Sequence, residues 1–143
     1  MRIRDVLSSK ASGEVITIEP DATVRDLLRI LAEHNVGALI VSTDGSSVDG
    51  IVSERDVVRR LNEDEGVLGA PVSQIMTSEV ATCEITDEVN TLMALMTERR
   101  IRHVPVMTKG ELTGVISIGD IVKKRIDELE FERDQLDSYV HQT

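Results

Sequence analysis

A chain of 143 residues, 41% hydrophobic and 29% charged, has the balance of a soluble globular protein, with room for one compact domain or two very small ones sharing a core. A net charge of −10 works against generic nucleic-acid binding, which feeds on phosphate neutralisation by Lys and Arg, and Phe131 and Tyr139 as the only aromatics offer no platform for stacked bases. No apolar run approaches the roughly 20 residues that span a bilayer. Met1-Arg2-Ile3-Arg4-Asp5-Val6-Leu7 carries no signal-peptide pattern, and Cys83 alone cannot close an internal disulfide. These features imply a cytoplasmic protein with an aliphatic core and no membrane partner.

In chain order, the lead-in Asp5-Val6-Leu7-Ser8 is followed by a short β-rich run, Val15–Ile18. Val24, Leu27, Leu28 and Leu31 fall at i, i+3, i+4 and i+7, the spacing of one helix face, and Asp21 or Thr23 can cap that helix. Two strands come next, Ala38–Val41 and Ile51–Ser53, around the turn Asp44-Gly45-Ser46-Ser47, and a further helix begins near Glu54. A polar, Gly-containing link, Asn62 to Pro71, leads on.

The pattern is then written again. A shift of 65 positions carries Glu14–Glu19 onto Glu79–Glu84, and the helix positions onto Val89, Leu92, Met93 and Met96. The same shift carries Val36, Leu39 and Val41 onto Ile101, Val104 and Val106. One residue is lost in the next loop, and Gly50-Ile51-Val52-Ser53-Glu54-Arg55-Asp56 falls on Gly114-Val115-Ile116-Ser117-Ile118-Gly119-Asp120. The lead-in Gln74-Ile75-Met76-Thr77 matches Asp5 to Ser8. The second copy reads as a strand at Val80–Cys83, a helix capped by Thr86 or Asp87, strands His103–Val106 and Val115–Ser117 around Lys109-Gly110, and a helix from Ile118. Each β-α-β-β-α copy of about 60 residues buries too little alone. The expected fold is therefore α/β of the α+β type: two pseudo-twofold repeats packed sheet to sheet over one shared core. The expected divisions are 1–65, 66–125 and an acidic helical extension, 126–143.

The extension departs from the repeat. Val122, Ile126, Leu129, Arg133, Leu136 and Val140 are spaced 4-3-4-3-4, a heptad-like seam with one charged intruder. Two readings stand, a helix lying back on its own domain and a helix reaching into a partner subunit.

The duplicated unit, with Gly-apolar-apolar-Ser-x-x-Asp after its third strand, resembles the cystathionine-β-synthase-type (CBS) domain from residue 1 to about 125. Arg102-His103-Val104-Pro105-Val106 and Val72-Ser73-Gln74-Ile75-Met76-Thr77 resemble that family's preceding strand and entry segment. The resemblance implies a regulatory module rather than an enzyme. It implies clefts between the repeats for AMP, ADP, ATP, NAD(H) or S-adenosylmethionine as regulatory ligand, with no required cofactor. It also implies association into a flat homodimer and a signal to an unknown regulated protein.

Ser53-x-x-Asp56 and Ser117-x-x-Asp120 are the central candidates. In the family pattern the Asp accepts from ribose hydroxyls and the Ser contacts phosphate or sugar. A carboxylate suits a vicinal diol and a helix start suits an anion. The same spacing is also that of a capping box, and both roles can coexist. Arg102 and His103 suit phosphate neutralisation, whereas Arg99 and Arg100 read as a solvated helix end. Pro105 should sit at an edge or a cleft-facing point of its strand. Gly37 and Ala38 stand where the second copy has Arg102 and His103; they either admit a ligand to the backbone or pack closely. Thr17 and Thr82 hold equivalent strand positions, as base or phosphate contacts or as β-favouring residues.

Arg55 in the first motif faces Gly119 in the second, so the clefts are expected to differ. The richer in positive charge should take phosphate-rich ligands, and the poorer adenosine alone or nothing. No nucleophile elbow, Walker loop or metal-ligand spacing is present, which argues against an enzyme. The alternative is a dimeric scaffold with degenerate clefts.

Overall fold

The computed structural model describes residues 1–10 and 15–141. Glu14, the start of the sequence repeat, lies outside them. The elements are α1 (Ile3–Ser8), β1 (Thr17–Ile18), α2 (Val24–His34), β2 (Ala38–Val41), β3 (Gly50–Ser53) and α3 (Glu54–Glu63). Two short 3-10 turns follow, Glu65–Gly69 and Val72–Gln74. Then come β4 (Cys83–Glu84), α4 (Val89–Arg99), β5 (His103–Thr108), β6 (Glu111–Ser117) and α5 (Ile118–His141). The strands form two three-stranded sheets, β1-β2-β3 and β4-β5-β6. In each, the first strand runs parallel to the middle one and the third antiparallel. Ala38 pairs with Ser53 and His103 with Ser117, so the two registers repeat. The fold is the expected mixed α/β architecture of two β-α-β-β-α units with a C-terminal helix.

The leading strands are shorter than the β-rich runs that announce them. Only Thr17–Ile18 and Cys83–Glu84 find ladder partners, on Ile40–Val41 and Val106–Met107. Helices α2 and α4 bury matching faces, Val24, Leu27 and Leu31 against Val89, Leu92 and Met96. Both end on a left-handed residue, Asn35 (φ 52°) and Arg100 (φ 56°), a conformation Asn adopts more readily than Arg. Thr23 caps α2 as expected, its hydroxyl accepting from the Asp26 N–H at 3.1 Å. The second cap differs from expectation. Glu88 holds the N-cap position of α4 without a side-chain bond, because Asp87 instead accepts from the Glu84 N–H at 2.9 Å and braces the turn after β4.

The buried apolar residues form two clusters in place of one shared core. One holds Ile18, Val24, Leu27 and Val52; the other holds Val89, Leu92, Val104 and Ile116. The lead-ins are exchanged between them. Ile3 and Val6 of α1 are fully buried in the second cluster, and Val67, Val72 and Ile75 belong to the first. What reads as a polar link thus contributes to the core of the copy before it. Main-chain bonds fasten both exchanges. Ile3 N–H donates to Asp87 O and Arg4 N–H to Ile85 O, each at 3.0 Å, while Val72 N–H donates to Ala22 O at 2.8 Å. Ile51 and Thr77 exchange N–H···O bonds of 2.9 Å in both directions. Two units too small to stand alone are each completed by the other's entry segment.

Helix α5 runs unbroken from the second motif into the acidic extension. Ile121 is buried, but Leu129 and Leu136 are 64% and 66% exposed. The extension does not lie back on its own domain: every residue from Leu129 to His141 is exposed.

Candidate functional site

Two clefts lie between the sheets, of about 310 Å³ and 640 Å³, sizes that suit a small organic ligand. Gly37, Ala38 and His103 line both, so the clefts share a wall where β2 and β5 begin. A Cβ on Gly37 would lie 4.0 Å from His103 Cε1. Cleft one is bordered by Ser53, Arg55, Asp56 and Arg59, and across from them by Val80, Ala81, Arg100 and Arg102. Cleft two is bordered by Ser117 and Asp120, by Val15, Ile16, Asn35 and Val36, and by Lys10. Each cleft thus joins the Ser-x-x-Asp motif of one copy to the first-strand approach and the post-helix turn of the other.

Both motifs form reciprocal caps. Asp56 Oδ2 accepts from the Ser53 N–H at 2.8 Å and from the Ser53 hydroxyl at 3.0 Å, and Ser53 Oγ accepts from the Asp56 N–H at 3.3 Å. Asp120 Oδ2 accepts from the Ser117 N–H at 2.9 Å, and Ser117 Oγ from the Asp120 N–H at 3.1 Å. In each case the capping bonds use Oδ2 and leave Oδ1 without a protein partner among the described residues. An oriented, half-used carboxylate at a cleft wall is suited to accept from a hydroxyl group.

The electrostatics of the clefts differ. Cleft one carries Arg55, Arg59, Arg100 and Arg102 against Glu54, Asp56 and Glu79. Cleft two carries Lys10 and Asp120, which form a 3.1 Å ion pair. Burial pushes the Asp120 carboxyl up, but the Ser117 N–H and the Lys10 ammonium outweigh it and hold the group below its ordinary value. His103 is held below the usual imidazole range by burial, opposed by the negative charge of Asp120 and assisted by Lys10 and Arg102.

Of the residues singled out from sequence, Gly37, Ala38, Ser53, Arg55, Asp56, Arg102, His103, Ser117 and Asp120 line a cleft. Thr17, Thr82 and Pro105 do not. The residues just before each threonine, Val15-Ile16 and Val80-Ala81, line the wall instead. Pro105 is buried in the central strand β5, opposite Val115, and is not at an edge. Its carbonyl faces β4, where it accepts from Cys83 Sγ at 3.8 Å. Its missing N–H faces the same side, where β4 pairs only from Val106 on, so no ladder bond is forfeited. Cys83 is a buried free thiol, pushed up to about 12 by burial and by the nearby charge of Asp87.

Sequence reasoning missed Lys10, Arg59 and Glu79, and assigned Arg100 to a solvated helix end. Arg100 lines cleft one because it is the left-handed residue closing α4 and turns with the chain into β5. Its alignment with Asn35, which lines cleft two, was the available signal. Among the described residues, no cluster of His, Cys, Asp and Glu could hold a metal ion, and no helix is long and apolar enough to cross a membrane.

The CBS domain family model matches this chain twice, over residues 3–63 and 72–127. The chain is 36% identical, over 96% of its own length and 71% of the relative's, to the mitochondrial CBS domain-containing protein CBSX3 of Arabidopsis thaliana. A solved CBS-domain-containing protein of Agrobacterium tumefaciens, ATU1752, superposes with a TM-score of 0.83 at 37% identity, over 87% of this chain and 99% of that one. The CBS domain pair of protein MJ0100, solved in complex with 5′-methylthioadenosine and S-adenosyl-L-methionine, superposes with a TM-score of 0.76 at 22% identity, over 86% of this chain and 98% of that one. With both repeats matched and their lead-ins in place, the chain belongs to the CBS domain family.

Proposed function

We propose that the chain is a regulatory sensor that binds adenosine-containing nucleotides (AMP, ADP, ATP or NAD(H)) in its two clefts and passes their occupancy to a protein partner, without turning them over. The observation that carries this reading is the repeated capping box, in which Asp56 and Asp120 each keep one carboxylate oxygen unpartnered at a cleft wall. The adenosine compounds held by the CBS pair of MJ0100 support the ligand class. The four arginines of cleft one support polyphosphates or dinucleotides there. The sensor acts as a symmetric dimer, a reading supported by the exposed apolar seam of α5. A cytoplasmic placement is supported by the lone, buried Cys83.

Calorimetric titration with AMP, ADP, ATP and NAD(H) tests the reading. Binding is expected at micromolar to sub-millimolar concentration, with stabilisation of about 2.7 kcal/mol at a hundredfold excess over Kd. Flat titrations at millimolar ligand would leave a scaffold with unused clefts.

A further inference from the structure

Cleft two contains a cation that the repeat does not predict. Lys10 Nζ donates to Asp120 Oδ2 at 3.1 Å and to the Val115 carbonyl at 2.8 Å. Both side chains of this pair are half-buried, at 31% and 24% exposure. The first copy runs four residues longer than the second between its lead-in and the point where the repeat resumes, and Lys10 lies in that longer stretch, so the second copy offers no counterpart to it. Cleft one draws its cations from α3 and from the turn into β5, whereas cleft two draws its cation from the entry segment.

Among the described residues that line cleft two, Lys10 is the only lysine or arginine and Asp120 the only carboxylate. Their charges cancel. Without Lys10 the cleft would present an uncompensated carboxylate to any incoming anion. A ribose approaching Asp120 must share a carboxylate that an ammonium already occupies in part. A bare nucleoside brings that ammonium nothing in return. A nucleoside 5′-monophosphate brings a second anion, and an ammonium on a four-carbon stem can swing to it without moving the backbone.

We infer that Lys10 determines specificity in cleft two: it shields Asp120 while the cleft is empty and turns to the phosphate of a bound nucleoside monophosphate, so that this cleft takes the monophosphate in preference to the bare nucleoside. This rests on the proposed function, because it assumes that the clefts receive adenosine compounds.

The test uses the full chain and its Lys10→Ala and Lys10→Arg variants, titrated with AMP and with adenosine. Amide resonances of Gly114 and Val115 report on cleft two, and that of Arg55 on cleft one. In the unaltered chain AMP should bind cleft two at least tenfold more tightly than adenosine, the size of one charge-assisted hydrogen bond. Lys10→Ala should bring that ratio near one by weakening AMP while leaving adenosine unchanged or tighter, and Lys10→Arg should keep the preference. Equal loss of both ligands in Lys10→Ala, an unchanged ratio, or a cleft two silent to AMP while cleft one responds would overturn the role of Lys10 alone. Silence of both clefts toward both ligands would overturn the proposed function itself.

Discussion

Asp56 Oδ2 and the Ser53 main-chain N–H are joined by a 2.8 Å hydrogen bond that fixes the carboxylate across the first turn of α3 and leaves its Oδ1 free of protein partners among the described residues. The cap and the candidate ligand contact are therefore different atoms of one group, and a mutation can separate them. Asp56→Asn retains an oxygen for the cap but loses the charge. It should lower affinity in cleft one by about one to two decades, the worth of a hydrogen bond to a charged group, with little effect in cleft two. Asp120→Asn should do the reverse. Site-resolved titration of both variants against AMP checks this. Destabilisation without loss of affinity would return both aspartates to capping alone.

The exchange of lead-ins gives a prediction about packing. A Cβ built on Gly50 would lie 2.6 Å from Met76 Sδ and 2.8 Å from Thr77 O, and the second neighbour is backbone in a paired bridge. At the equivalent Gly114 the nearest atoms are the Leu7 methyls at 3.3 Å, the far end of a flexible side chain. Gly50→Ala should therefore cost about 1–3 kcal/mol, as overpacking does, and Gly114→Ala less. Urea denaturation of the two variants measures the difference. Equal costs would mean that the second lead-in does not close on β3 as described.

The repeat made most of this fold legible. Val24, Leu27 and Leu31 announce a helix because burial needs one face, and their counterparts Val89, Leu92 and Met96 announce it again. Ser53 and Ser117 are readable because a capping box is a local device, complete within four residues. What was hidden depends on contacts distant in sequence. No local pattern in Ile3 and Val6 says that they complete the core of the second copy. Lys10 meets Asp120 across 110 positions of chain, and Arg100 enters its cleft only because α4 ends left-handed. Thr17 and Thr82 lie just past the wall residues Val15-Ile16 and Val80-Ala81, an offset of one position that no local pattern marks.

His103 sits in the wall common to both clefts and resists protonation chiefly because it is buried. The charged groups acting on it are Asp120, Lys10, Arg102 and Glu54. Its folded value lies below about 6.5, the value expected in the unfolded chain. Above that pH both states are neutral at this residue and its contribution is constant. As pH falls through about 6.5 and on through the lower folded value, the unfolded chain takes up a proton that the folded chain resists, so stability is lost. The loss cannot exceed about 1.4 kcal/mol per pH unit for one group. Urea midpoints measured from pH 7.5 to 5.5 should fall more steeply for the natural sequence than for His103→Gln. Parallel profiles would show that His103 titrates as freely when folded as when unfolded.

The seam on α5 is an exposed apolar surface, and its pattern says what would fit it. Val122, Leu129 and Leu136 alternate with Ile126, Arg133 and Val140 at heptad spacing. β-Branched residues at one seam position and leucine at the other favour two parallel helices, with the charged Arg133 as a costly exception in the middle. Ile126, Leu129 and Leu136 are 49%, 64% and 66% exposed, so the seam is free to meet a second copy. Truncation after Asp127 keeps Ile121 in the core and Arg125 on Asn90, and removes most of the seam. The truncated chain should fold normally, and the dissociation constant of its dimer should rise at least tenfold. Arg133→Leu should act in the opposite direction, because it removes a charge from the seam and adds apolar area. Sedimentation equilibrium, with 15.8 kDa as the monomer mass, reads both effects. If both variants dimerise as the full chain does, the seam is not what joins the subunits. If only the truncation weakens the dimer, Arg133 lies outside the contact and the helices meet in another register.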